Sequence, residues 1–204
     1  MTLLVLLRSR SGHWAVLATA AMCVLAAITG RRAIEIDLSA NFPPTKLVLV
    51  ELCVIMTATL LAILTRPRFW EWDRIAGGHR PRVLAGSVAA TTIALATMCV
   101  PAVVPWLPAS ASWTWVLANA LVLSAMVQLL APVLSPLLAG ALTLVFWFAS
   151  AVTINLAPNV WLPLANYRDP DGRWVVAALL VVAAITVHAG TTGTTAWARR
   201  HHVA

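Results

Sequence analysis

Few side chains in this 204-residue chain could do chemistry, and the most conspicuous is Glu51, set about one turn inside a long apolar run. An ionisable group at membrane depth is costly and is placed there for a use. Asn119, Ser124, Gln128, Asn155 and His188 are further polar groups inside apolar stretches. Ser124 and Gln128 stand four apart and share a helical face, whereas Asn119 points the opposite way, so these side chains cannot all line one surface. The plain use of such residues is an interhelical hydrogen bond. For Glu51 the plain uses are reaching the outer interface or pairing with Lys46.

Common catalytic and metal chemistries find no motif. Cys23, Cys53 and Cys99 each fall in a different apolar run, without a CxxC pair or a neighbouring His. The five histidines show no HExxH spacing, and only His188 lies in an apolar run. No GxSxG nucleophile motif and no paired intramembrane carboxylates occur. A P-loop needs a lysine after a glycine-rich turn, but the single lysine, Lys46, follows NFPPT. The expectation is a chain with no catalytic residues, no metal site and no cofactor of its own.

The elements that must position these groups are set by composition. With 61% hydrophobic residues, 10% charged residues and a mean hydropathy of +0.87, the chain has too little polar surface for a water-soluble fold. A bilayer core of about 30 Å takes about 20 apolar residues per helix. Six charge-poor runs approach that length: 14–30, 47–65, 83–104, 113–131, 137–156 and 174–198. The 44 uncharged residues from Trp113 to Leu156 are divided by Pro132 and Pro136, because proline lacks the N–H donor a helix interior uses. The expected fold is an all-α polytopic membrane protein, one transmembrane domain over residues 1–204 with both termini cytoplasmic.

Charge sets the expected orientation. With the termini inside, nine arginines are cytoplasmic and five cations (Arg31, Arg32, Lys46, Arg168 and Arg173) are outside. Only Glu71 and Asp73 join the inner set, so the whole excess of +7 faces the cytosol. The basic balance is therefore a topology signal beside anionic lipid, and nucleic acid is not an expected partner. Trp106, Trp113, Trp115, Trp161, Tyr167 and Trp174 fall near outer ends, where amphipathic rings anchor at the interface. The leading MTLLVLLRSRSGHW has its apolar block before its arginines, the reverse of a secretory signal, and is expected to be retained in the cytoplasmic headgroup region.

Between the second and third runs lies the loop 65–82, TRPRFWEWDRIAGGHRPR. Read as a short helix over 66–76, capped by Thr65 and stopped by Gly77 and Gly78, it has two faces. Phe69, Trp72, Ile75 and Ala76 fall on one side at about 100° per residue, with Trp70, Glu71 and Arg74 on the other and Asp73 at the border. An aromatic ring flanked by both charge signs suits a protein interface better than a lipid patch of pure Lys and Arg. The simpler reading is a headgroup-level loop that only enforces topology.

This layout resembles a small bacterial ATP-binding-cassette exporter permease of the second type. It combines six spans with an apolar lead-in, a Trp-Glu helix with basic flanks between spans two and three, a tight uncharged link between spans four and five, and a longer outer connection before span six. The run WEWDRIAGGHRPR at 70–82 is similar to the Trp-Glu and spaced arginines of permeases from high-GC Gram-positive bacteria. The resemblance implies a multi-pass protein of the bacterial cell membrane, paired with a second permease copy or a related chain. It further implies binding to cytoplasmic P-loop ATPase subunits, which would hold the ATP and magnesium. It assigns ATPase docking to Trp70, Glu71, Trp72, Asp73 and Arg74. Glu51, Asn119, Ser124, Gln128, Asn155 and His188 are then the candidates to line a translocation path for an apolar or amphipathic substrate. A non-transporting membrane scaffold or regulatory subunit is the alternative, and a lipid-modifying enzyme has no motif behind it.

Overall fold

The computed structural model describes residues 12–29, 32–37, 45–66, 80–107, 112–157, 160–164 and 173–192. In chain order these form α1 (Gly12–Thr29), β1 (Ala33–Ile36), β2 (Thr45–Val48), α2 (Leu49–Leu64), α3 (Arg80–Thr97), α4 (Cys99–Val103), a 3-10 turn (Val104–Trp106), α5 (Trp113–Leu130), α6 (Pro136–Leu156) and α7 (Trp174–Thr191). Pro81–Trp106, Trp113–Leu130, Pro136–Leu156 and Trp174–Thr191 are long and apolar enough to cross a membrane by length and composition. His13–Thr29 and Leu49–Leu64 are shorter apolar helices.

The helices are apolar on all sides, so burial alone does not satisfy their exteriors. Ile28, Val83, Leu137, Val175 and Leu179 are each more than 60% exposed, an apolar outer surface that belongs in lipid. Polar atoms within the helices are satisfied locally. Thr19, Thr57, Thr59, Thr143 and Thr153 each donate to the carbonyl four residues earlier, at 2.6 to 2.9 Å. That back-bonding lets a hydroxyl enter an apolar medium at little cost.

Central in the bundle is α5, which packs against α2, α3, α6 and α7. It is 61% buried, whereas α7, docked on α3 and α5 only at the periphery, is 17% buried. The neighbouring α2 packs against α1, α3, α5 and α6. Close approach of α2 and α6 is made by Gly140, where an added Cβ would lie 2.8 Å from Thr59 Cγ2.

Helix direction alternates along the chain. The antiparallel β1–β2 hairpin, in register Ala33↔Val48 to Ile36↔Thr45, joins the end of α1 to the start of α2. Asn155, at the end of α6, donates to Ile36 O in β1 at 3.1 Å, so α6 finishes at the hairpin end. His188 in the last turn of α7 meets Gln128 O in the last turns of α5, which places the start of α1 and the end of α7 together at the opposite end.

Three expected boundaries are corrected. The second run does not become helical at 47, because Leu47 and Val48 pair in β2 and α2 begins at Leu49. Its 16 residues span about 24 Å at 1.5 Å per residue. The third run begins its helix at Arg80 and breaks at Met98, where Pro101 has no N–H for the Thr97 carbonyl and the Met98 amide bonds Leu95 O three residues back. In the sixth run the helix ends at Thr191, and Thr192 takes a left-handed conformation with φ 52°; residues 193–198 lie outside the described residues. The division at Pro132 and Pro136 holds: α5 stops at Leu130, and α6 starts with Pro136 in its first turn and Ser135 Oγ accepting from Leu138 N at 3.3 Å.

Candidate functional site

Glu51 is the third residue of α2, where the helix N-terminus favours a negative charge. Its side chain turns inward and the residue is only 2% exposed. Asn119 Nδ2 on α5 donates to Glu51 Oε1 at 2.7 Å, and Trp147 Nε1 on α6 donates to Oε2 at 2.6 Å. Three helices thus converge on one carboxylate, each of whose oxygens accepts one protein N–H. The pairing of Glu51 with Lys46 is set aside, because Lys46 pairs at 3.2 Å with Glu35, its cross-strand neighbour. Among the described residues no cation is bonded to Glu51.

A narrow cleft with about 20 Å³ of space, room for one water-sized group, adjoins the carboxylate, lined by Lys46, Trp115, Asn119, Trp147 and Ser150 among others. Its walls follow from helical spacing. Trp115 and Asn119 are four apart on α5, and Trp147, Ser150, Ala151 and Ile154 occupy one face of α6. Lys46, half exposed on the hairpin, marks the mouth. Ser150 is 3% exposed, and its hydroxyl has no hydrogen-bond partner among the described residues.

The other expected path residues separate into different places. Gln128 Nε2 donates to Ala58 O on α2 at 3.3 Å, and His188 Nε2 meets the backbone O of Gln128 at 2.8 Å. These three form a second polar link, two turns along α2 from Glu51. The helical wheel sets Asn119 and Gln128 on opposite faces, yet both reach α2. A wheel angle fixes only the Cβ direction, and the longer Gln side chain carries its amide back to the neighbour. Ser124 is fully buried and donates to Leu121 O at 3.2 Å within its own helix. Asn155 anchors the hairpin. Of the six expected path residues, only Glu51 and Asn119 share the cleft.

No protein-family model, no curated protein and no solved structure matches this chain. The site is therefore read from its own geometry.

Three cleft residues were not legible as such. Trp115 is expected to be an interfacial anchor, but it is 4% exposed and forms a cleft wall, whereas Trp106, Trp113, Trp161 and Trp174 are exposed. Tyr167 lies outside the described residues. Trp147, in the middle of α6, carried one usable signal: a buried indole N–H needs an acceptor, and Glu51 is the sole acidic group in the apolar runs. Ser150 carried none beyond its spacing from Trp147.

The cysteines, separate in sequence, gather in space. Cys23 Sγ approaches Cys99 Sγ to 3.9 Å, Cys99 meets Thr57 Oγ1 at 3.5 Å, and Cys53 meets Thr29 Oγ1 at 3.9 Å; all three thiols are free. Among the described residues no group of three His, Cys, Asp or Glu side chains could hold a metal ion. The docking residues Trp70, Glu71, Trp72, Asp73 and Arg74 lie outside the described residues. At the loop's start, Thr65 caps the end of α2, its hydroxyl donating to Leu61 O at 2.7 Å.

Proposed function

We propose that this chain is the permease subunit of an ATP-driven exporter of the bacterial cell membrane, carrying an apolar or amphipathic substrate. On this reading it crosses the bilayer six times with both termini in the cytosol. The observation that carries it is the Glu51 carboxylate, buried in an apolar helical bundle beside a cleft and held by donors from two further helices. Besides joining three helices, an ionisable group in an apolar bundle suits a path that must pass the polar part of an amphipathic substrate.

The chain has no nucleotide-binding motif, so the driving reaction belongs to a partner, a cytoplasmic P-loop ATPase holding ATP and magnesium. The loop 65–82 is the coupling element, with Trp70, Glu71, Trp72, Asp73 and Arg74 docking on that ATPase. A second copy of this chain, or a related one, completes the membrane unit.

Co-purification tests the assignment. Replacing Trp70 and Arg74 together with Ala removes contacts worth about 2 to 4 kcal/mol on the scale of interface hot spots, and so weakens ATPase association about 30-fold or more. Membrane levels should persist, because Arg66, Arg68, Arg80 and Arg82 keep the loop inside. Phe69→Ala, on the opposite face, should leave ATPase recovery intact. Equal recovery with wild type and the double variant would return the loop to a topology anchor and favour the scaffold reading.

A further inference from the structure

We infer that the cleft beside Glu51 binds the primary ammonium group of an organic amine. The juxtaposition that carries this is a buried carboxylate bonded to no cation among the described residues and a Ser150 hydroxyl with no hydrogen-bond partner among them, both residues lining one cleft between tryptophans.

Acceptor arithmetic selects the ligand class. A carboxylate offers about four lone-pair sites, and Asn119 and Trp147 occupy one on each oxygen. One site per oxygen is left, and Ser150 Oγ adds another acceptor. Three acceptors match the three N–H donors of an R–NH₃⁺ group. A metal ion fits less well, because the two N–H groups directed at the carboxylate compete with it and only one anionic side chain lines the cleft. An anion is disfavoured by Glu51 itself. Lys46 at the mouth does not cancel this preference, since its charge is paired with Glu35 at 3.2 Å. The indoles of Trp115 and Trp147 supply apolar walls for the first carbons of the amine and a favourable surface for its charge.

Amine as cargo rests on the transport reading above, but amine binding does not. It can be measured on the purified chain without ATP, ATPase or flux, so the two can fail separately. Loss of ATPase docking would leave amine binding in place, and loss of amine binding would leave docking untouched.

Thermal unfolding of the full-length protein in maltoside micelles, with n-hexylammonium chloride or n-hexanol at matched concentrations, decides it. A ligand that binds the folded state raises the midpoint with concentration. Wild type should be stabilised by hexylammonium beyond any effect of hexanol, whereas Glu51→Gln should respond to both alike, its amine affinity about tenfold or more weaker. Gln keeps the size and shape of Glu at this position, and its carbonyl can still accept from Trp147. Ser150→Ala is the second variant: its hydroxyl bonds nothing in the described fold, so the unliganded midpoint should hold while the hexylammonium shift falls. A wild-type shift no larger than that with hexanol, or a shift of wild-type size in either variant, would overturn the inference.

Discussion

Trp147 donates its indole N–H to Glu51 Oε2 at 2.6 Å, across 96 residues of chain. The bond ties α6 to α2 and brings the widest aromatic surface of α6 to the wall of the cleft. Because Asn119 takes the other carboxylate oxygen, α5 is drawn into the same junction, and one side chain sets the spacing of three helices.

Removing that donor should be costly. Trp147→Phe keeps an aromatic ring but leaves Oε2 without its bond, and an unsatisfied buried acceptor costs about 1–3 kcal/mol. The unfolding free energy from a dodecyl sulfate titration should fall by that amount, while Trp113→Phe, at a 53% exposed position, should change it by less than about 0.5 kcal/mol. Equal losses would show that the indole bond contributes nothing specific.

Gly140→Ala should be destabilising by about 1–3 kcal/mol, the usual cost of overpacking. The new Cβ would lie 2.8 Å from Thr59 Cγ2, and Thr59 is held by its own bond to Ile55 O at 2.8 Å. Adding Thr59→Ala should recover much of the loss. Gly86→Ala is the control, since its Cβ would meet Ile185 Cγ2 at an ordinary 3.4 Å.

Mild oxidation should join Cys23 to Cys99, linking α1 to α4. Their sulfurs are 3.9 Å apart and need to close to about 2.05 Å, within reach of small rotamer and helix shifts. Proteolysis and mass spectrometry of copper-phenanthroline-treated membranes should recover this pair in preference to any involving Cys53. A dominant Cys53 pairing would contradict the packing of α1 on α4.

Orientation is tested by single-cysteine labelling in a background without the three native thiols. Ser39→Cys, between β1 and β2, should react with an impermeant maleimide from outside, and Gly78→Cys, in the 65–82 loop, should not. The reverse pattern would invert the charge-based topology, in which nine arginines are cytoplasmic.

What the sequence determined by itself was the class of environment and most of the helical segmentation. Long charge-poor runs admit only structures that satisfy their own backbone, and proline marks where a helix must stop. The break between α5 and α6 was therefore legible at Pro132 and Pro136, and Glu51 stood out because no other acid interrupts an apolar run. Only the tertiary structure decided the partners. Glu51, Asn119 and Trp147 come from three helices, and no periodicity within one helix states which neighbour it will face when every side is apolar. The same uniformity hid Trp115, whose burial depends on α2 and α6 closing over it, and the first strand-paired residues of the second run, whose helix is displaced by hairpin register. In an amphipathic helix the polar stripe announces the buried side. In this chain lipid and core are chemically alike, so facing was settled by where a few polar atoms and one close glycine contact could be satisfied.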